Sequence, residues 1–247
     1  MAERPYFDCN CMLGRPSVPV KDSLDGIDAI EAELEYCGIA DALVFHYLAR
    51  DYAPAVGNAR LLEEIEGHPR FHPGWVLLPE HTEETPDVGE MLSAGVRAAR
   101  MYPKAERHGF SLQDWCSGNV LSELEAHHVP LFLDLDQTDW NEVYSLCAQH
   151  PDLPVVITDL GYRINRHLFP LLAQCPHLCV EVSGYQGHAA IEDVCRKYGA
   201  QHLLYGSRLP LFNPGGTIAL VAYANISEDE KRMIAGDNMR RMLEEVR

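Results

Sequence analysis

Short apolar runs, many of them β-branched, alternate with amphipathic stretches along the whole chain, and the unit recurs eight times without a long linker or a shift in composition. The apolar runs predict strands over Tyr6–Cys9, Ala42–His46, His72–Leu78, Val96–Tyr102, Pro130–Leu135, Pro154–Asp159, Leu178–Ser183 and His202–Ser207. A helical pattern follows each one. In the first, Ile27, Ile30 and Leu34 share a face and carboxylates occupy the other. Asn58–Ile65, Val88–Leu92, Val120–Ala126, Val143–Cys147, Leu168–Ala173, Ile191–Tyr198 and Thr217–Tyr223 behave alike. Gly38, Pro69, Gly95, Pro151, Pro176 and Gly199 stand just after helical patterns, where a left-handed cap or a stop is expected.

Val155-Val156-Ile157 and Leu131-Phe132-Leu133 are apolar on both faces, as parallel strands covered by helices must be. Such units within 247 residues match the usual length of a (β/α)8 barrel, about 250 residues. The expected fold is therefore α/β, a single TIM barrel occupying residues 1–247. An open doubly wound sheet is the competing architecture, but the G-x-G-x-x-G fingerprint is missing after the first strand.

Composition narrows the function classes. Lys+Arg 20 against Asp+Glu 37 gives a net charge of −17, which repels phosphate backbones, so no nucleic-acid partner is expected. No apolar stretch is long enough to span a bilayer, and Met1-Ala2-Glu3-Arg4-Pro5 leads straight into the first strand without a signal-peptide core, so a cytoplasmic location is expected. The eight cysteines lack C-x-x-C spacing and sit mostly in apolar runs, which reads as reduced core residues. Cys9 and Cys11 stand apart, because alternate positions of one strand share a face.

Several segments together resemble the amidohydrolase 2 branch of the amidohydrolase superfamily. They are Tyr6–Gly14, Asn58–Phe71 with the following Gly74–Pro79, Gly95–Pro103, and Ile226–Leu243. The last also has a physical reading of its own: Ser227 and Glu230 have capping-box spacing, Gly236 can end that helix and Asn238 can cap the next. The resemblance implies a barrel whose strand ends bind a metal, yet five of the implied ligand positions differ. Asn10 and Met12 stand where the family has His-x-His, Asp134 and Asp159 stand at two further His positions, and Arg208 replaces an Asp. A guanidinium cannot act as a ligand. No cofactor is therefore expected, with Arg208 occupying the vacated volume and pairing with Asp134 and Asp159. The alternative is one divalent cation (Mg, Mn or Zn) held by Asp8, Asn10, Asp134, Asp136 and Asp159.

Barrel active sites lie at the C-terminal strand ends. There the chain offers Asn10, His46, Arg100, Tyr102, Lys104, Arg163, Glu181 and Tyr185 as substrate-binding candidates. Four cations converging on one opening would focus a small anionic ligand, or would simply neutralise Asp8, Asp134, Asp136 and Asp159; both readings stay open. The alternative reading of His46 is a hydrogen-bonded histidine under a loop. The expected activity is amidohydrolase-like hydrolysis, or decarboxylase-type lyase chemistry, on a small acidic molecule. Asp159 would be the base, Asp134 its partner and Arg208 the stabiliser of negative charge. The alternative is a noncatalytic ligand-binding or assembly protein of the same fold. Self-association is left open.

Overall fold

A computed structural model describes residues 5–21 and 23–247; the reading of Met1–Arg4 as lacking a signal-peptide core falls largely outside them. The chain folds as a (β/α)8 barrel. Its strands are β1 (Tyr6–Leu13), β2 (Ile39–His46), β3 (Phe71–Pro73), β4 (Trp75–Val76), β5 (Ala99–Met101), β6 (Leu131–Asp134), β7 (Val155–Thr158), β8 (Leu178–Glu181) and β9 (Leu203–Leu204). All pairings are parallel, in two sheets ordered β1-β2-β3 and β4 through β9. The predicted third strand is thus β3 and β4 in succession, interrupted at Gly74. A Cβ at Gly74 would come within 2.4 Å of the Phe45 ring, so only glycine lets the chain pass there. β1 is joined to the chain after β9 by Cys9 N–H to Tyr205 O (3.0 Å) and Arg208 N–H to Asn10 O (2.9 Å).

The helices are α1 (Ile27–Cys37), α2 (Tyr47–Asp51), α3 (Pro54–Glu64), α4 (Val88–Ser93), α5 (Asp114–Ala126), α6 (Trp140–Gln149), α7 (Asn165–Leu172), α8 (Ala190–Tyr198), α9 (Gly215–Ala222), α10 (Glu228–Arg232) and α11 (Asn238–Glu244). Most begin earlier than their apolar periodicity alone indicates, because a polar first turn carries no apolar signal. Asp87 and Asp139 close capping boxes with Glu90 and Glu142 at the starts of α4 and α6. The predicted Ser227–Glu230 box opens α10. Gly38 caps α1 in the left-handed region, at φ 70°. No described helix is long and apolar enough to cross a membrane.

Burial divides the apolar side chains into two layers. Inside the barrel lie Phe7, Cys9, Leu43, Phe45, Phe132, Val156, Cys179 and Leu204, with Met239 and Met242 of α11 packed among them. Between strands and helices lies the larger layer, which includes Ile30, Leu34, Val44, Leu121, Leu133, Ile157 and Val194. Cys9 belongs to the inner layer and Cys11 to the outer one. Their expected common face is lost because the β1–β2 register shifts between Asp8 and Cys11; an inserted residue reverses the in-and-out alternation. All eight cysteines are free.

The end of the chain departs from expectation. Gly236 does not end a helix: residues Met233–Asp237 form a π-helical turn that joins α10 to α11. Gly236 instead permits close approach to β1, since a Cβ there would meet Pro5 O at 2.7 Å and Phe7 N at 3.1 Å. Nor does Asn238 cap α11, for its amide donates to Ala200 O (2.8 Å) and Leu203 O (3.0 Å). It ties the helix to β9.

Candidate active site at the barrel mouth

At the C-terminal strand ends a cavity of about 90 Å3 is bounded by Asn10, Met12, Tyr47, Arg50, Arg100, Tyr102, Asp134, Asp159 and Arg208, with Leu209 and Leu211 on one side. Its centre is Arg100. Strand pairing sets Arg100 beside Phe132, and Asp134 lies two residues further along β6, on the same face. The guanidinium donates to the Asp134 carboxylate, to Thr158 Oγ1 (3.0 Å) and to Asn10 Oδ1 (3.0 Å). Arg100 also stacks over Phe45 (5.2 Å) and Tyr102 (5.5 Å). Both members of the Arg100–Asp134 pair have side chains only 3% exposed.

Arg208 forms the second ion pair, from Nε to Asp159 Oδ1 at 2.6 Å, with its guanidinium over Phe212 (4.4 Å). Asp159 and Arg208 both adopt positive φ, 55° and 62°. Such backbone is uncommon outside glycine and clusters at functional sites. The expected three-way pairing of Arg208 with both carboxylates is therefore corrected: Arg208 takes Asp159 and Arg100 takes Asp134. Adjacency decides it, since β5 borders β6 whereas Arg208 follows β9.

The two carboxyls are driven apart in acidity. Burial raises Asp134, but the Arg100 charge and the hydrogen bonds from Arg100 and Thr158 outweigh it and hold the group below its usual value. Asp159 is pushed up, by burial first and then by the Asp134 charge, against the opposing pull of Arg208 and Arg100. Deeper in, Glu181 is pushed up to about 7 by burial, despite hydrogen bonds from Ser183 and Asn10. Its oxygens accept from Ser183 N–H, Ser183 Oγ (2.8 Å) and Asn10 Nδ2 (3.2 Å). Asp8 is likewise raised by burial while it accepts from Ser207 and from Asn10 N–H (3.0 Å).

Of the sequence candidates, Asn10, Arg100, Tyr102, Asp134, Asp159 and Arg208 line one cavity. The others lie outside it. His46 caps α2, accepting from Leu48 N–H at Nδ1 (3.0 Å), and its Nε2 faces Glu64 (3.4 Å). Tyr185 is buried, with its hydroxyl donating to Asn165 (2.5 Å). Lys104, Asp136 and Arg163 are exposed, and Arg163 packs on Tyr162 in the loop after β7. Glu181 lies beneath the cavity, reached through Asn10. Tyr47, Arg50 and Thr158 were not among the sequence candidates. Tyr47 directly follows the second apolar run and Thr158 ends β7, and that position was the available signal; Arg50 lies three residues beyond Tyr47 on α2.

Sequence comparison places the chain in a family. Residues 23–244 match the family described as Amidohydrolase. The protein belongs to the amidohydrolase family. No curated protein matches its sequence. Among solved structures, 2,6-dihydroxybenzoate decarboxylase from Rhizobium is similar at 15% identity and TM-score 0.76, over 98% of this chain and 99% of that one. A dihydroxybenzoic acid decarboxylase from Polaromonas sp. JS666, with manganese and the inhibitor 2-nitroresorcinol, gives 15%, 0.71, 98% and 97%. An amidohydrolase from Burkholderia multivorans, with bound zinc, gives 16%, 0.69, 97% and 99%. At these identities the likeness shows the fold.

The expectation that no cofactor is used is corrected by these comparisons: manganese and zinc occur in amidohydrolase-fold relatives, which point to a divalent metal. The side chains as placed here do not fit one. Asp134 is committed to Arg100 and Thr158, Asp159 to Arg208, and Asp8 to Ser207. Among the described residues no group of three or more His, Cys, Asp or Glu could hold an ion, so the alternative ligand set of Asp8, Asn10, Asp134, Asp136 and Asp159 is not assembled. No step below is routed through a metal.

Proposed function

We propose that the protein is a hydrolase or decarboxylase-type lyase acting on a small acidic molecule at the mouth of its barrel. The observation that carries this reading is an imbalance of charge. Arg50, Arg100 and Arg208 border the cavity with only two carboxylates, Asp134 and Asp159. Each carboxylate neutralises one arginine, and Arg50 has only a 3.9 Å pairing with Asp51, which Arg107 shares at 3.4 Å, so the cluster keeps an excess of positive charge. The Arg50 Nε, the Arg100 Nε and the Tyr102 hydroxyl are buried without hydrogen-bond partners, and unpaired buried donors are costly unless a ligand satisfies them. A carboxylate seated there would meet a guanidinium fork and a phenol. The ligand named for the Polaromonas relative, 2-nitroresorcinol, is a small acidic aromatic molecule.

The acidity difference between the two carboxyls supplies the proton chemistry. Decarboxylation breaks a C–C bond, leaves its electron pair on carbon, and needs a proton delivered there as CO2 departs. Asp159, raised by burial and by Asp134, is the group suited to hold that proton. In hydrolysis the same residue would take a proton from water. Arg208 then faces the developing negative charge.

The closure of both carboxylates in ion pairs, around only about 90 Å3, favours a second reading in which the protein binds an acidic ligand without transforming it. One experiment separates the two. The protein is screened by thermal shift against benzoate and 2,6-dihydroxybenzoate, with and without Mn2+ or Zn2+; a ligand at about 100-fold its Kd stabilises by about 2.7 kcal/mol. Stabilising acids are then followed for CO2 release, and their methyl esters and amides for hydrolysis. Turnover that disappears in Asp159→Asn while the melting temperature is retained supports the enzyme. Binding without turnover selects the second reading. Activity retained in Asp159→Asn refutes the role given to that residue.

A further inference from the structure

We infer that the opposite, N-terminal end of the barrel carries a second ligand site, built for a small carboxylate with an apolar body. A cavity of about 410 Å3 opens there, between Phe7, Asp41, His72, Pro73, Gly95, Arg97 and the α11 residues Arg240, Leu243 and Glu244. That volume lies within the usual range of small-molecule sites. Features at this end of a barrel are ordinarily ascribed to stability, and nothing in the mouth chemistry uses these residues.

The cavity exists because of the break in the strands. β3 pairs with β2, and pairing toward β5 begins only at Trp75. The floor between Pro73 and Gly95 is therefore left without a ladder, and α11 passes below rather than filling it. Arg240 of α11 is fixed from three sides: it donates to Pro5 O (3.0 Å) and Asp41 Oδ2 (2.7 Å), and its guanidinium lies 5.5 Å from the Phe7 ring centre. His72 completes the wall, with Nε2 3.4 Å from Asp41 Oδ1 and its ring 5.0 Å from that of Phe7.

Arg97 gives the site its preference. Its one hydrogen bond, from Nη1 to Leu243 O, is 3.3 Å long, and no carboxylate pairs with it among the described residues. Asp41 is already shared by Arg240 and His72. In a chain of net charge −17, an unpaired guanidinium at the edge of an apolar cavity is a seat for one negative charge. Glu244 on the rim and Asp41 in the wall disfavour a second charge, so a carboxylate suits the site better than a phosphate dianion. Phe7, Pro73 and Leu243 would cover its apolar body.

The test uses 15N-labelled full-length protein titrated with 4-phenylbutyrate, up to roughly 10 mM. Saturable amide shifts are expected at Asp41, His72, Arg97 and Leu243, and not with the uncharged 4-phenylbutanamide. Arg97→Gln, an exposed position that should not unfold the protein, is expected to weaken binding about tenfold, as loss of a charge-assisted bond does. Glu244→Gln should strengthen it about twofold, by removing a like charge near the surface. Shifts confined to mouth residues such as Asn10 and Asp134, equal binding of the amide, unchanged affinity in Arg97→Gln, or no saturable shift at all would each overturn the assignment.

Discussion

Replacing Arg100 with Met tests the centre of the mouth most directly. The methionine fills the stem's volume but removes a guanidinium that donates to Asp134, Thr158 and Asn10. Asp134, 3% exposed, would keep its charge with only the Thr158 hydroxyl to hold it. Breaking one side of a buried pair costs about 3–5 kcal/mol, most of it the penalty of the stranded charge. Arg100→Met should therefore lower unfolding stability by that amount at pH 7, whereas Arg100→Met with Asp134→Leu should recover most of it. The pH dependence has a definite sign. Asp134 in the wild type is held below its ordinary value of 3.8, so its contribution is present above that pH and is lost as pH falls through the lower folded value. In Arg100→Met the stranded carboxyl is raised instead, so the variant should gain on the wild type as the solution is acidified. Urea unfolding from pH 8 down to about pH 2, with the midpoint read at unchanged slope, measures both effects. A loss below about 1 kcal/mol in the single variant, or an equal loss in the double variant, would show that the pair does not carry the energy assigned to it.

Two further outcomes follow from buried groups elsewhere. Glu181, pushed up to about 7 from 4.5, binds its proton more tightly in the folded state. Its contribution is complete below pH 4.5 and is lost as pH rises toward 7, so Glu181→Gln should flatten the decline of stability over that window in acid-to-neutral urea titrations. Gly236→Ala drives a Cβ to within 2.7 Å of Pro5 O and 3.1 Å of Phe7 N; a loss of about 1–3 kcal/mol is expected in the same assay, as for other overpacked sites.

Much of the barrel could be read from the chain because its cause is local. Two-faced apolar runs, helical periodicity and turn residues each act over a few positions, and all the predicted strand regions contain a strand. What escaped depends on contacts between distant segments. Nothing near Gly74 announces that Phe45 occupies the space of its missing Cβ, and nothing in Ala235-Gly236-Asp237 distinguishes a helix end from a close approach to β1. The shift in β1 that separates Cys9 from Cys11 is likewise a property of its pairing with β2.

At the mouth the residue types were legible and their partnerships were not. Arg100, Asp134, Asp159 and Arg208 could all be chosen as strand-end groups, but ranking Arg208 above Arg100 ignored strand order. A side chain on β5 reaches the next strand along the same face, so Arg100 meets Asp134 before any residue beyond β9 can. Arg208 then has one carboxylate left to it, and reaches it from an uncommon backbone conformation opposite another in Asp159.

This division has a chemical consequence that a symmetric three-way pairing would lack. If one arginine were shared equally, the two carboxyls would respond alike to it, and neither would be distinguished as acid or base. With Arg100 enclosed against Asp134, that carboxyl is fixed as an anion, and its charge in turn helps raise Asp159. One group supplies a constant field and the other a movable proton, which is the asymmetry that acid–base chemistry between paired carboxyls requires. An incoming carboxylate would add to the same field, favour the protonated form of Asp159 further, and find its compensation in Arg50. In the proposed reaction, substrate charge and proton availability would thereby be coupled through side chains that lie around one cavity.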